Sequence, residues 1–393
     1  GKQNTKFLLQ KKVWLILLVC VFAVTSWQSR FGYAQESSVN NWQIFLPLVR
    51  NGLPPFETSQ KFIGIYMQQY WTENTVSNLA GANQLAGKQH SVVGWFIDLQ
   101  DIAFTSQNDM NYNNFYRQLE ALWNAGYISF VNLNIAKEES NNTTKDKCPY
   151  NASAYQIAKG DCDQAIERMA ELYKQWIDKG DGRIAFLAPL PEMNGVNSDG
   201  NAWTSYGGDA GNFKLAYQKF LDIFSEKGVD KDQVWWVFAP NGWSKEGHEF
   251  ENYYPGNSLV DVIGFSSYNY GYCRVAIPWQ RWENYDTLFA PYLDRIRQMD
   301  ASKPIIIAQT GTTAEYSEEG KNTVEKNNWL KKNYEHLAGQ SQVLGILYYD
   351  YDQTPWECNW RILPGETYNG YTQGVGHEVY QYLTAENLKS IIP

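Results

Sequence analysis

From residue 61 onward the chain alternates short apolar runs with longer stretches whose apolar residues recur at helical spacing. The runs are FIGIYM (62–67), VVGWFIDL (92–99), ISFVNLNI (128–135), RIAFLAPLPEMN (183–194), VWWVFAPN (234–241), VDVIGFSSY (260–268), PIIIAQTG (304–311) and VLGILYYDYD (343–352). Nearly continuous runs of this length, rich in β-branched and aromatic residues, predict strands buried on both faces. Between them, CDQAIERMAELYKQWIDKG, GNFKLAYQKFLDIFSEKG and YDTLFAPYLDRIRQMD carry the pattern of amphipathic helices. Eight strands alternating with helices predict an α/β protein, a (β/α)8 TIM barrel spanning 61–393.

A barrel of this kind places its chemistry at the C-terminal ends of its strands. Those ends offer Asp98 and Asp101 after the second run, Asn134 after the third, Glu192 and Asn194 after the fourth, and Asn241 after the fifth. The sixth offers Tyr268 and Asn269, the seventh Gln309, and the eighth Asp350 and Asp352. The only histidines, His90, His248, His336 and His377, stand at none of these ends. A histidine metal site or a Ser-His triad therefore has little support, and no metal or cofactor is expected. The loops beyond the ends carry Trp203, Tyr206, Trp243, Tyr270, Tyr272, Trp279, Trp282, Trp356 and Trp360. Single rings of this sort often fill gaps between loops. As a cluster beside amides and carboxylates they suit sugar rings, which pair an apolar C–H face with hydroxyls that seek hydrogen bonds.

Residues 1–34 read as an export signal: four lysines precede the apolar run VWLILLVCVFAV, and Gly32-Tyr33-Ala34 offers small residues for cleavage. The apolar run is shorter than the roughly 20 residues a membrane span requires. Residues 35–60 read as a leader. Removing 1–34 takes the formal charge from −9 to −14, an acidic balance that disfavours nucleic acid and anionic membranes as partners. The expectation is a secreted protein that meets a polysaccharide or oligosaccharide, with no membrane attachment after signal cleavage. Cys148, Cys162, Cys273 and Cys358 remain, an even set that indicates two disulfides in an exported chain. Pairing Cys148 with Cys162 leaves Cys273 with Cys358; four cysteines allow three connectivities, and free thiols are the alternative.

At LAPLPEMNG the sequence resembles glycoside hydrolase family 26, whose members include endo-β-mannanases and some β-glucanases and xylanases. VWWVFAPNGWS, DVIGFSSYNYG and CNWRI extend the similarity over about residues 61–365. The resemblance implies a retaining barrel hydrolase with Glu192 as acid/base and Tyr268 as the active-site tyrosine. It also implies that Gln309 occupies the position of the nucleophilic glutamate. Asn194, Trp203, Trp243, Trp279 and Trp356 are the expected sugar contacts. Ala188 and Pro191 stand where the mannanases often carry Arg and His, and Trp203 lies in a longer loop than the family pattern.

Gln309 is the departure with chemical weight. Retaining hydrolysis needs two carboxyl groups roughly 5–5.5 Å apart, one of which attacks the anomeric carbon and offsets its developing positive charge. An amide has no such charge. Four readings fit: a substitution introduced to trap substrate; a sugar-binding protein without turnover; an inverting enzyme with Glu192 as acid and Asp98, Asp101 or Asp350 as base; or a site in which Gln309 orients the substrate's own acetamido group. Glu315, six residues further on, reads as a solvated loop acid. A structural protein with an unused barrel is the remaining class.

Overall fold

The computed structural model describes residues 53–67, 73–103, 113–137, 148–273, 280–363 and 368–393. Residues 1–52, on which the expected signal peptide and most of the expected leader fall, and Trp279 lie outside the described residues.

Eight parallel strands close into a barrel. In chain order they are β1 (Phe62–Met67), β2 (Val92–Asp98), β3 (Ile128–Asn134), β4 (Phe186–Pro189), β5 (Trp235–Phe238), β6 (Val262–Asn269), β7 (Ile305–Thr312) and β8 (Val343–Asp350). Each pairs with its neighbours in sequence, and β8 closes on β1. All eight apolar runs thus form strands, and the (β/α)8 expectation holds. β4 and β5 are shorter than their runs because the chain leaves the sheet at Pro189 and Phe238, and the residues beyond build the mouth.

Helices fill the outside: α1 (Glu73–Ala86), α2 (Asn114–Asn124), α3 (Asp163–Ile177), α4 (Ala210–Glu226), α5 (Ala290–Met299) and α6 (Thr323–Ala338). On α3 the buried set Ala165, Ile166, Met169, Ala170, Leu172, Tyr173 and Trp176 follows the helical repeat, so one face covers the sheet. The stretch expected as one helix over YDTLFAPYLDRIRQMD is broken: Tyr285–Leu288 forms a single turn and α5 begins afresh at Ala290. Pro291, in the first turn of α5, has no N–H to continue the earlier ladder and a φ suited to a helix start.

Strand residues alternate between two apolar clusters. Ile63, Ile65, Val93, Trp95, Val131, Ile263 and Ile307 face the helices. Phe62, Tyr66, Val92, Phe130, Phe186, Val237, Ile306 and Leu347 fill the barrel interior. Rings lie directly on glycines there. A Cβ at Gly94 would sit 2.2 Å from the Tyr66 ring, and one at Gly345 2.2 Å from Phe62.

Both expected disulfides are present. Cys148–Cys162 closes the segment between β3 and α3, and Cys273–Cys358 joins the loops that follow β6 and β8.

Candidate functional site

Two strand irregularities aim the key side chains. After Pro189 the chain turns through left-handed conformations at Leu190 (φ 55°) and Glu192 (φ 56°), which non-glycine residues adopt only when their surroundings impose it. Three backbone bonds hold the turn: Leu190 N–H to Leu133 O (2.9 Å), Glu192 N–H to Ala239 O (2.8 Å) and Gly195 N–H to Glu192 O (2.9 Å). On β7 the register against β6 shifts between Phe265–Ile307 and Ser266–Gln309, so Ala308 is an extra residue. A one-residue bulge reverses side-chain parity beyond it. Ile306 and Ala308 face the interior, and the bulge turns Gln309 inward as well.

β6 brings the two together. Ser266 and Tyr268 share one face of the strand, about 6.6 Å apart along it. Ser266 Oγ donates a short hydrogen bond to Glu192 Oε1. Tyr268 Oη donates to Gln309 Oε1 at 2.9 Å. Burial first, and then the neighbouring Tyr349 and Glu192, push the Tyr268 phenol well up, so it stays a donor at any ordinary pH. Glu192 and Gln309 therefore converge on one mouth with β6 between them.

Glu192 Oε1 also accepts from Asn241 Nδ2 at 3.1 Å. Asn241 is set by Asn194, whose Oδ1 accepts from Asn241 N–H (2.8 Å) and whose Nδ2 donates to Asn241 O (2.9 Å) and Ser244 Oγ (3.0 Å). Asn194 is fully buried, so it positions the β5 loop and is not itself a sugar contact, contrary to the sequence expectation. The tight turn after Glu192 folds its amide inward.

The Trp203 and Trp243 rings stack at 6.2 Å with 9° between their planes. Trp203 lies flat on Gly195, where a Cβ would meet its ring at 2.3 Å, and its Nε1 donates to Asn197 Oδ1 at 2.9 Å. Both tryptophans are half-buried. Trp356, by contrast, is 87% exposed on the loop after β8. The ring that touches the Gln309 side of the site is Trp360, buried against Tyr268 (4.9 Å) and edge-on to Tyr270 (5.0 Å).

The three alternative bases stand in different surroundings. Asp350 is buried with Oδ1 held by the N–H groups of Ile362 (2.6 Å) and Leu363 (3.1 Å), and Arg361 stands 3.8 Å from Oδ2. Burial raises it to about 6 against those partners. It clips the closing loop in place and is not available as a base, which corrects that expectation. Asp101 lies on the short helix Leu99–Ala103, raised by burial. Asp98 ends β2 at the mouth, pushed up to about 6 by burial and then by the Asp101 charge. Glu315 belongs to a two-stranded hairpin (Glu315–Ser317 with Gly320–Lys321), paired with Thr313 Oγ1 and with Lys321 at 3.8 Å.

Ser266 was missed from the sequence, and Tyr206 and Trp360 entered only as members of the aromatic cluster. The alternation in VIGFSSYN would have paired Ser266 with Tyr268 on one face. Tyr206 is buried with its hydroxyl on Pro191 O (2.9 Å) and Asn134 Oδ1 (3.3 Å), and burial, then Glu192 and Asp98, raise its phenol. Among the described residues no group of three or more His, Cys, Asp or Glu side chains is arranged to hold a metal. His90 is buried between Asn83 Oδ1 (2.9 Å) and Tyr371 Oη (2.8 Å), away from the mouth.

No family model matches the chain. Endoglucanase H of Acetivibrio thermocellus is 27% identical over 241 residues, which are 58% of this chain and 23% of that protein. The chain thus spans about a quarter of the curated relative it matches. Among solved structures, the family 26 domain of an endo-β-mannanase/endo-β-glucanase from Prevotella bryantii has a TM-score of 0.55 at 18% identity, over 84% of this chain and 93% of that one. A β-mannanase from a symbiotic protist of the termite Reticulitermes speratus, complexed with gluco-manno-oligosaccharide, has a TM-score of 0.54 at 15% identity, over 84% and 90%. The chain has the barrel fold of family 26 glycoside hydrolases, and the resemblance drawn from PLPEMNG holds at that level.

Proposed function

We propose that this chain is a secreted protein of the family 26 glycoside hydrolase type whose barrel mouth takes a β-linked polysaccharide of the mannan or β-glucan class. The observation that carries the reading is the convergence of Glu192 and Gln309 over β6, where Ser266 bonds the one and Tyr268 the other. Glu192 is the proton donor to the glycosidic oxygen, positioned by Asn241 and Ser266. Trp203 and Trp243 offer an aromatic surface beside it, and Trp356 a further one at the rim. The two disulfides accord with export, and among the described residues no helix is long and apolar enough to cross a membrane.

Gln309 favours a second reading, a carbohydrate-binding protein without turnover. Its amide accepts from Tyr268 as a carboxylate would, but it cannot form the covalent glycosyl intermediate of a retaining enzyme. The test is to incubate the chain and its Gln309→Glu variant with mannan, mixed-linkage glucan and xylan, measuring binding by affinity electrophoresis and cleavage by reducing ends. Binding by both, with retaining cleavage gained by the variant, is the expected result. Absence of both binding and cleavage in either form would overturn the reading.

A further inference from the structure

We infer that Asp98 is the general base of a single-displacement hydrolysis in this cleft, with Glu192 as its acid. The inference rests on the polysaccharide reading above and supplies the chemistry that Gln309 cannot.

Strand parity places Asp98 at the mouth. On β2, Val92 belongs to the interior cluster and Phe96 packs against Tyr66 (5.3 Å) and edge-on to Tyr349 (6.3 Å), both interior rings. Asp98, two residues on, is the next inward position and the last of the strand. Its Cα partner on β3 is Asn134. Asn134 Oδ1 in turn meets the Tyr206 hydroxyl, which also bonds the carbonyl of Pro191, the residue before Glu192. A continuous path of contacts thus runs from β2 to the acid, and Tyr206 lies within electrostatic reach of both carboxyls.

The spacing suits the chemistry. β2 and β4 are separated by β3, so their backbones stand about 9.6 Å apart at two strand spacings. That separation is of the order of the roughly 6.5–9.5 Å that leaves room for a water between acid and base. Asp98 is also uncommitted: among the described residues no hydrogen bond reaches its carboxyl, whereas Asp350 is bonded to two backbone amides. Burial beside Asp101 holds it at about 6, a value at which a carboxylate is a competent proton acceptor in near-neutral solution.

The step balances without a further reagent. Glu192 gives its proton to the glycosidic oxygen as the C1–O bond breaks, and that oxygen leaves as the hydroxyl of the released chain. A water attacks C1 from the opposite face while Asp98 takes one of its protons, leaving a hemiacetal of inverted configuration. Solvent then reprotonates Glu192 and takes the proton from Asp98.

The test follows hydrolysis of a β-1,4-manno-oligosaccharide and a mixed-linkage gluco-oligosaccharide by proton NMR, which reads the anomer formed first, alongside calorimetric binding of the same compounds. The full chain and its Asp98→Asn and Asp101→Asn variants are compared, with circular dichroism to show that each is folded. Expected are the α-anomer first and a fall in kcat of about 100- to 10,000-fold for Asp98→Asn. Glycan affinity should stay within about threefold of the parent, and Asp101→Asn, which removes the charge beside Asp98, should move the acid limb of the kcat profile to lower pH without abolishing cleavage. A β-anomer formed first, or Asp98→Asn cleaving within about threefold of the parent, overturns the assignment. Binding without cleavage by the parent also overturns it but leaves the polysaccharide reading standing, and a chain that neither binds nor cleaves ends both.

Discussion

Replacing Asn194 with alanine tests how Glu192 is positioned. The side chain makes three good hydrogen bonds, to Asn241 N–H, Asn241 O and Ser244 Oγ, at 2.8–3.0 Å inside a fully buried site. At a net of about 1 kcal/mol each, with on the order of 1 kcal/mol more for the Asn241 N–H left without an acceptor, the loss is about 3–4 kcal/mol. Unfolding a unit of roughly 340 residues carries an entropy of about 2.1 cal/mol/K per residue, so that loss lowers the thermal midpoint by about 5 °C. Scanning calorimetry of Asn194→Ala beside Asn124→Ala, which loses one exposed bond to Glu120, measures it. The control should stay within about 0.5 kcal/mol of the parent. Because Asn241 donates to Glu192 and lies two residues before Trp243, glycan affinity should weaken together with stability. A midpoint shift under about 1 °C, or full destabilisation with unchanged affinity, would refute the positioning role.

Other predictions concern the closing loop, the disulfides and acid stability. Trp360→Ala, which empties a buried site, should cost about 3–5 kcal/mol, whereas Trp356→Ala should leave stability nearly unchanged and act only on glycan affinity; urea unfolding separates them. Serine replacement of Cys273 and Cys358, 85 residues apart, should reduce stability by about 4–5 kcal/mol on the chain-entropy view, against about 3 kcal/mol for Cys148 and Cys162, 14 apart; reversal of that order in urea would count against the entropic account. Burial lowers His90 to about 3, so the folded chain binds fewer protons than the unfolded one below the ordinary histidine value. Its contribution is complete above about pH 6.5 and is lost as pH falls toward 3, so His90→Gln should flatten the decline of the thermal midpoint across that window. Asp350 acts oppositely: held at about 6, it binds more protons when folded, and stability drops as pH rises from the ordinary aspartate range through 6.

The barrel was legible because strands buried on both faces have no polar face to blur the pattern, and all eight runs appear as strands. The placement of Glu192 and Gln309 at the mouth was legible for a related reason, each being a polar residue at the end of an apolar run. Their supports were not. The bulge at Ala308 that turns Gln309 inward leaves no mark in PIIIAQTG, since a register shift belongs to the pairing with β6 and not to one strand. Asn194 and Asp350 looked like site residues by position. Only the fold shows that one braces a loop and the other clips one, because hydrogen-bond partners up to 50 residues apart decide it. Trp356 and Trp360 carry the same local signature, and what separates the exposed ring from the buried one is Tyr268, on another strand.

The rings of Tyr66 and Phe62, seated on Gly94 and Gly345, have a consequence for traffic. They make the barrel a dish and not a tunnel: nothing can be threaded through, and whatever enters departs by the same opening. If the mouth takes the polysaccharide proposed above, the polymer reaches it from that one side.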